Sequence, residues 1–297
     1  MAIGSKIKSF YEEKYKILMF IPFLMVLLAF AQIGYQYHST GDFVNRGVTL
    51  KGGSLISFVA PQGSDIASIQ SSLTSSFPGH EIAVRTLGPA SNPTGIVVES
   101  EYQTEAEIIK LKAELTRLTN VPTKEMGTEI IGSAIGASFF KQSLVALGVA
   151  FLLMGCVVFA YFRTPVPSLA VILAGASNLI VTLAIFNLTG EKLSTAGIAA
   201  FLMLLGYSVD TDILLTSRVL KRKEGTVMHR IHGAISTGMS MTAATLGAVI
   251  VALIFVHSDV IHQIMLVLFI GLLTDMFMTW IQNVGILRLY VEKGERK

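Results

Sequence analysis

Charge is what this chain has least of. Only 14% of its 297 residues are Asp, Glu, Lys or Arg, where a soluble domain carries about 25%. That shortage, set beside 52% hydrophobic residues and a mean hydropathy of +0.63, excludes an ordinary soluble domain. Neither sign dominates, and a net charge of +3 gives no electrostatic case for nucleic acid. Cysteine is nearly absent. Cys156 stands alone in an apolar run, forms no intramolecular disulfide and reads as apolar filler. No HExxH segment occurs. The group His257, Asp259 and His262 offers too few ligands for a metal centre and reads as solvated loop. His229 and His232 fall in a basic loop and read as interfacial. No metal and no cofactor is expected.

What the chain has instead is long apolar runs. A helix needs roughly 20 residues to cross a hydrocarbon core about 30 Å thick. Six segments are long enough: 17–35, 143–162, 166–187, 195–216, 234–256 and 261–287. The first is longer than the apolar part of a signal peptide and lacks a following cleavage site, so a retained anchor is expected. The reading is a polytopic α-helical membrane protein with six transmembrane helices, one plus five. An inserted α+β domain of ferredoxin-like type separates the first two. The expected division is 1–35 for the N-terminus and first helix, 36–141 for the extracytoplasmic domain, and 142–297 for the five-helix bundle.

Basic residues set the expected orientation. With the N-terminus cytoplasmic, 14 of the 23 Lys and Arg residues lie inside, among them Lys6, Lys8, Lys14, Lys16, Arg163, Arg218, Lys221, Arg222, Lys223, Arg230, Arg288, Lys293, Arg296 and Lys297. The two short outer loops hold only Lys192, and an even number of spans brings the C-terminus back to the cytoplasm.

The inserted segment reads as strand, helix, strand, strand, helix. A Gly-Gly turn precedes the strand in "GVTLKGGSLISFVAP"; "DIASIQSSLTSSF" has helical spacing at Ile66, Ile69 and Leu73 behind Asp65. "EIAVRTLG" and "TGIVVESEY" alternate around the turn "GPASNP", and "EAEIIKLKAELTRL" is an amphipathic helix. That order suits a split β-α-β sheet with helices on one face. Its use is expected to be contact with another molecule. In and beside the bundle, Gly132, Gly136, Gly148, Gly155 and Gly175 read as seams for close helix packing.

Two acids interrupt the fourth span in "GYSVDTD", Gly206 to Asp212. An ionised acid at mid-bilayer costs about 2.5–3.5 kcal/mol even on insertion scales, so neutrality or a partner's cation must offset it. No Lys or Arg lies at this depth in the chain; Arg218, six residues below Asp212, is the nearest along the span. Counting from the outer helix ends, Asp210, Asp275 and Thr242 each fall roughly 21–22 Å in, on spans four, six and five. Asp210 and Asp212 point apart by about 200°, so they cannot serve one neighbour. Ser208, Thr211 and Asp212 share one face; Asp210 falls with Gly206 and Ser217. One face is expected to meet the chain's own bundle and the other a second protein. The hydroxyls of Ser236, Thr237, Ser240, Thr242 and Thr245 on span five, with Asn178, Thr274, Gln282 and Asn283, are available to hydrogen-bond a carboxyl.

The "GVTLKGG" segment, "GYSVDTDILLTSRVLKRK" in span four with its Gly206, Tyr207, Ser208 and terminal Ser217-Arg218, and the hydroxyl-rich "GMSMTAATLGAVIVALIF" together resemble the SecF family of Sec protein-export subunits, within the resistance-nodulation-division group. The likeness covers nearly the whole chain. It implies a plasma-membrane protein without enzymatic activity that works beside SecD and a SecYEG-type channel on a translocating polypeptide, drawing on the proton gradient. Many bacterial members read Asn-Asp-Thr where this chain has Asp210, Thr211 and Asp212, and tend to carry an Arg in span five where Thr237-Gly238 stand. The pattern is similar to the archaeal branch. It leaves open which of Asp210 and Asp212 inherits the proton-coupling role, with Asp275 a further candidate. Two other readings compete. Half of a small-molecule exporter is one. An intramembrane aspartyl protease is the other, but "LLTDM" around Asp275 lacks the glycines such sites need.

Overall fold

The computed structural model describes residues 11, 13–61, 64–87, 94–222, 225–256 and 258–294. The expected turn at 88–93, His257, the basic residues Lys6, Lys8, Lys223, Arg296 and Lys297, and the side chain of Asp259 lie outside the described residues.

Among the described residues, six helical stretches are long and apolar enough to cross a membrane. A short helical turn, Tyr15–Leu18, leads into α1, Phe20–Thr40. After the inserted domain come α5 (Ser133–Phe162), α6 (Pro165–Leu188), α7 (Thr195–Lys221) and α8 (Val227–Phe255). The last stretch is compound: α9, Asp259–Phe277, passes through a π-helical turn, Met278–Asn283, into α10, Val284–Gly294. Helices α6 and α7 and the α9–α10 stretch form the buried centre, whereas α1, α5 and α8 are mostly exposed along their apolar lengths.

Between α1 and α5 lie a one-turn helix α2 (Val48–Lys51), β1 (Gly53–Val59), α3 (Ile66–Ser76), β2 (Ile82–Leu87), β3 (Gly95–Ser100), α4 (Glu105–Thr119) and β4 (Gly127–Ile131). The sheet runs β2-β3-β1-β4 with every pair antiparallel. Thus β3 lies between β1 and β2, and β1 between β3 and β4, two interlocked split β-α-β units. The expected order lacked α2 and β4. Strand β4 is an edge strand exposed through its first four residues, so it shows none of the alternation that marks a half-buried strand.

Alternation decides which face of the sheet carries the helices. Ile56, Phe58, Ile82, Ile96 and Val98 point to one side and pack with Ile69, Leu73, Ile108, Leu111 and Leu115 from α3 and α4. Local caps hold those helices: Asp65 accepts from the Ala67 and Ser68 amides (3.0 and 3.4 Å), and Thr104 with Glu107 closes a capping box. The Gly-Gly lead-in to β1 is required by geometry. Gly52 and Gly53 have φ of +91° and +141°, and a Cβ on them would lie 2.4 Å from Ser133 Cα and 2.3 Å from Ser100 O. Gly136 presses on the same segment, its Cβ position 2.7 Å from Gly52 N. Of the other small residues, Gly155 and Gly175 do meet side chains of neighbouring helices, but Gly132 and Gly148 face open space. Tighter helix contacts are elsewhere: Gly271 under Leu204, Gly238 under the Trp280 ring and Gly285 against Met19.

The inserted domain is fastened to the loop between α6 and α7. Asn45 O accepts from Leu193 N (2.6 Å) and Leu193 O from Gly47 N (2.8 Å). Lys192 pairs with Glu81 at 2.5 Å, and Arg85 with Glu191 at 3.0 Å and with the buried Glu99. Below the loop, Gln263 Oε1 accepts the Ser194 and Gly197 amides (2.9 and 3.1 Å), and its Nε2 donates to Lys192 O (2.7 Å). One side chain of α9 thereby satisfies orphan donors at the start of α7 and anchors the loop.

Candidate functional site: a buried carboxyl pair

Helical periodicity turns Ser208, Thr211 and Asp212 of α7 inward together, and all three are buried. Facing them is Asp275 of α9, 2% exposed. Its Oδ1 accepts from the Ser208 hydroxyl and from Asn178 Nδ2 (3.3 Å), and its Oδ2 from the Thr211 hydroxyl (2.9 Å). Thr279, one turn on, approaches Oδ1 at 3.4 Å. Asn178 Oδ1 in turn accepts from the hydroxyls of Thr274 and Thr182 (2.5 and 3.3 Å), and those two hydroxyls are 2.9 Å apart. The result is a continuous polar patch joining α6, α7 and α9.

Asp212 is fully enclosed. Its Oδ1 accepts from Asn283 Nδ2 at 2.7 Å, while Oδ2 is buried with no hydrogen-bond partner among the described residues. Asn283 closes the π-helical turn, and its neighbour Gln282 donates to Ser177 on α6 (3.1 Å). A π turn adds a residue to the helical repeat and is found often at functional sites. Here Thr279, Gln282 and Asn283, all within that turn, are buried together. Neither Asp212 nor Asp275 has an ion pair among the described residues. A charge on either would be desolvated without a counter-ion, and a proton on the carboxyl removes that cost.

The remaining sequence candidates separate cleanly. Asp210 is exposed on the opposite face of α7, with Gly206 and the 40%-exposed Tyr207. A Cβ on Gly206 would touch nothing within 4 Å. Ser217 is half-buried, and Arg218 Nη1 donates to Gly233 O (2.5 Å), tying the end of α7 to the start of α8. Thr242 is buried on α8 but is not among the hydrogen-bond partners of either acid. The expectation that hydroxyls of α8 serve the carboxyls is not met. Thr237, Ser240 and Thr245 donate back to carbonyls four residues earlier in their own helix. Thr182 and Thr279 are site residues that sequence reading missed. Their spacing of four from Asn178 and Asp275 was the available signal.

Comparison with known proteins agrees with this architecture. Residues 110–293 match the family described as "Protein export membrane protein SecD/SecF, C-terminal". The chain is 37% identical to the protein-export membrane protein SecF of Pyrococcus furiosus over 99% of its own length and 97% of that protein's. Against SecF of Methanothermobacter thermautotrophicus the identity is 36%, over 94% of each chain. The crystal structure of SecDF, a translocon-associated membrane protein from Thermus thermophilus, superposes with a TM-score of 0.71 at 19% identity, covering 94% of this chain and 38% of that one. SecDF in a super-membrane-facing form gives a TM-score of 0.57 at 17% identity, with 39% of that chain covered. By sequence along nearly its whole length, and by a fold that spans less than half of the solved SecDF chains, this chain belongs to the SecF family of protein-export membrane proteins.

Proposed function

We propose that the chain is an accessory subunit of the Sec machinery, pairing with a SecD-type bundle to promote movement of a polypeptide through a SecYEG-type channel. It sits in the plasma membrane with both termini cytoplasmic and residues 36–141 outside, and performs no covalent chemistry. The proton gradient acts through Asp212 and Asp275. Asp210 serves the partner surface. One observation carries this reading: two carboxyl groups lie enclosed among the apolar helices, linked to three of them by hydroxyl and amide donors, with no basic side chain among the described residues paired to either. Protonation and deprotonation there change what Ser208, Thr211 and Asn283 can bond. That change bears on α7 and on the π turn, the segment of the bundle whose backbone register is irregular.

The test is export into vesicles containing the chain, a SecD-type partner and the channel, with and without an imposed proton gradient. Asp275→Asn and Asp212→Asn should each abolish the gradient-dependent part of export while the complex still co-purifies. Asp210→Asn should instead weaken co-purification. Gradient-dependent export that survives both Asp275→Asn and Asp212→Asn ends the reading.

A further inference from the structure

Where α7 ends and α8 begins, three arginines and a histidine converge. Arg218, Arg222, His229 and Arg230, with Gly233, line a cavity of about 90 Å³. Three guanidinium groups carry five N–H donors each. Among the described residues their hydrogen bonds go only to main-chain carbonyls: Arg218 to Gly233, and Arg230 to Val219 (2.7 Å) and Arg222. The Nε groups of Arg218 and Arg230 are buried with no hydrogen-bond partner among the described residues. No described carboxylate pairs with any of the three.

Those carbonyl bonds account for why Arg218 and Arg230 fold back onto the helix ends. They do not balance the charge. The C-terminus of α7 offers roughly half an elementary negative charge, set against three permanent positive ones. Among the described residues the guanidinium of Arg222 makes no hydrogen bond or ion pair that would explain its place. Lys221 beside it is engaged elsewhere, its Nζ 3.5 Å from the centre of the Tyr161 ring. The start of α8 adds its own positive end to the same spot, capped by Thr226, which accepts from the His229 amide at 3.2 Å.

We propose that this cavity binds the phosphate of an anionic phospholipid headgroup, held by Arg222 and by the free N–H groups of Arg218 and Arg230. Planar guanidinium groups match phosphate oxygens in pairs, and basic pockets between helices at a membrane surface recognise anionic headgroups. The cavity lies at the ends of two helices long and apolar enough to cross a membrane, and the end of such a helix is where it would meet lipid phosphates.

The experiment uses the purified full chain in detergent, with bound lipid read by native mass spectrometry during titration with phosphatidylglycerol. Phosphatidylcholine and inorganic phosphate are the comparison arms. Phosphatidylglycerol should bind more tightly than phosphatidylcholine. Arg222→Gln should weaken it by about fivefold, the worth of one basic residue at a charged surface. Arg288→Gln, a charge removed where Arg288 pairs with Glu292, should not. Inorganic phosphate competing at equal concentration would place the source in solution while keeping the arginines as the site. Arg230→Gln should weaken binding further, but that residue also caps α7; Arg222→Gln alone therefore decides if the other fails to fold. If Arg222→Gln binds phosphatidylglycerol no more weakly than Arg288→Gln does, the proposal is overturned.

Discussion

At the scale of single residues, Asp275 is held by hydroxyl donors that can be removed one at a time. Leaving a buried polar group without its partner costs about 1–3 kcal/mol, so Ser208→Ala and Thr211→Ala should each lower the thermal unfolding midpoint in detergent. Both hydroxyls serve one carboxyl, so the double variant should fall short of the sum. Strict additivity would mean that the two bonds are independent and the patch is not one network. A packing test lies one helix away. A Cβ at Gly238 would sit 2.2 Å from Trp280 Cζ2, so Gly238→Ala must displace the indole. Overpacking of this kind costs about 1–3 kcal/mol, again read as a drop in unfolding midpoint. The inward face of α7 was legible in the sequence because Ser208, Thr211 and Asp212 obey the helical repeat. The central position of Asp275 was not. Its polar neighbours come from α6 and α7, and residue spacing along one helix says nothing about which neighbouring helix it meets. The π turn was hidden for a similar reason, since Met278–Asn283 carries no Pro or Gly to announce a change of repeat.

At the scale of elements, the contact between the inserted domain and the α6–α7 loop is electrostatic and half-exposed, and it should respond to pH. The hydrogen bond from Lys192, reinforced by nearby positive charge, holds the Glu81 carboxyl below its ordinary range. A carboxylate favoured in the folded state stabilises fully above its unfolded value and loses that contribution as pH falls through the lower folded value. Acidification below the usual Glu range should therefore loosen the contact, increasing hydrogen exchange at 189–194. In Glu81→Gln that contribution should be absent at neutral pH already. The pair is worth about 0–1 kcal/mol because it is partly solvated, so the domain should stay folded throughout. Exchange at 189–194 that is equal in Glu81→Gln and the unaltered chain, at every pH, would show that the Lys192–Glu81 pair adds nothing to the attachment, leaving it to the Arg85–Glu191 pair and the Asn45 and Gly47 backbone bonds to Leu193. These elements also show where pattern reading stops. The helices α3 and α4 and the strands β1 to β3 each bury one face and announce it. Strand β4 buries almost nothing within this chain, and α2 is a single turn, so neither imposes a period on its residues.

At the scale of the whole molecule, the unexplained feature is the outward face of α7. Met203, Gly206, Tyr207 and Asp210 lie on the exposed side of a helix whose other side builds the carboxyl site. A carboxyl facing lipid is costly, and a gap at Gly206 serves no contact inside this chain. Both features make sense against a second bundle, with the glycine admitting a close helix and Asp210 meeting a donor on it. The prediction separates folding from assembly. In an isolated helix interior, glycine is worse than leucine by up to about 1 kcal/mol, so Gly206→Leu should leave the isolated chain as stable as before or slightly more so. Added bulk at a close helix seam should nevertheless lower its affinity for a SecD-type partner. Unfolding of the chain alone, compared with co-purification of the pair, reads the two effects apart. A Gly206→Leu chain that still assembles normally would move the partner surface off this face. Asp210 would then need another source of compensation, and the exposed length of α8 would be the next surface to probe.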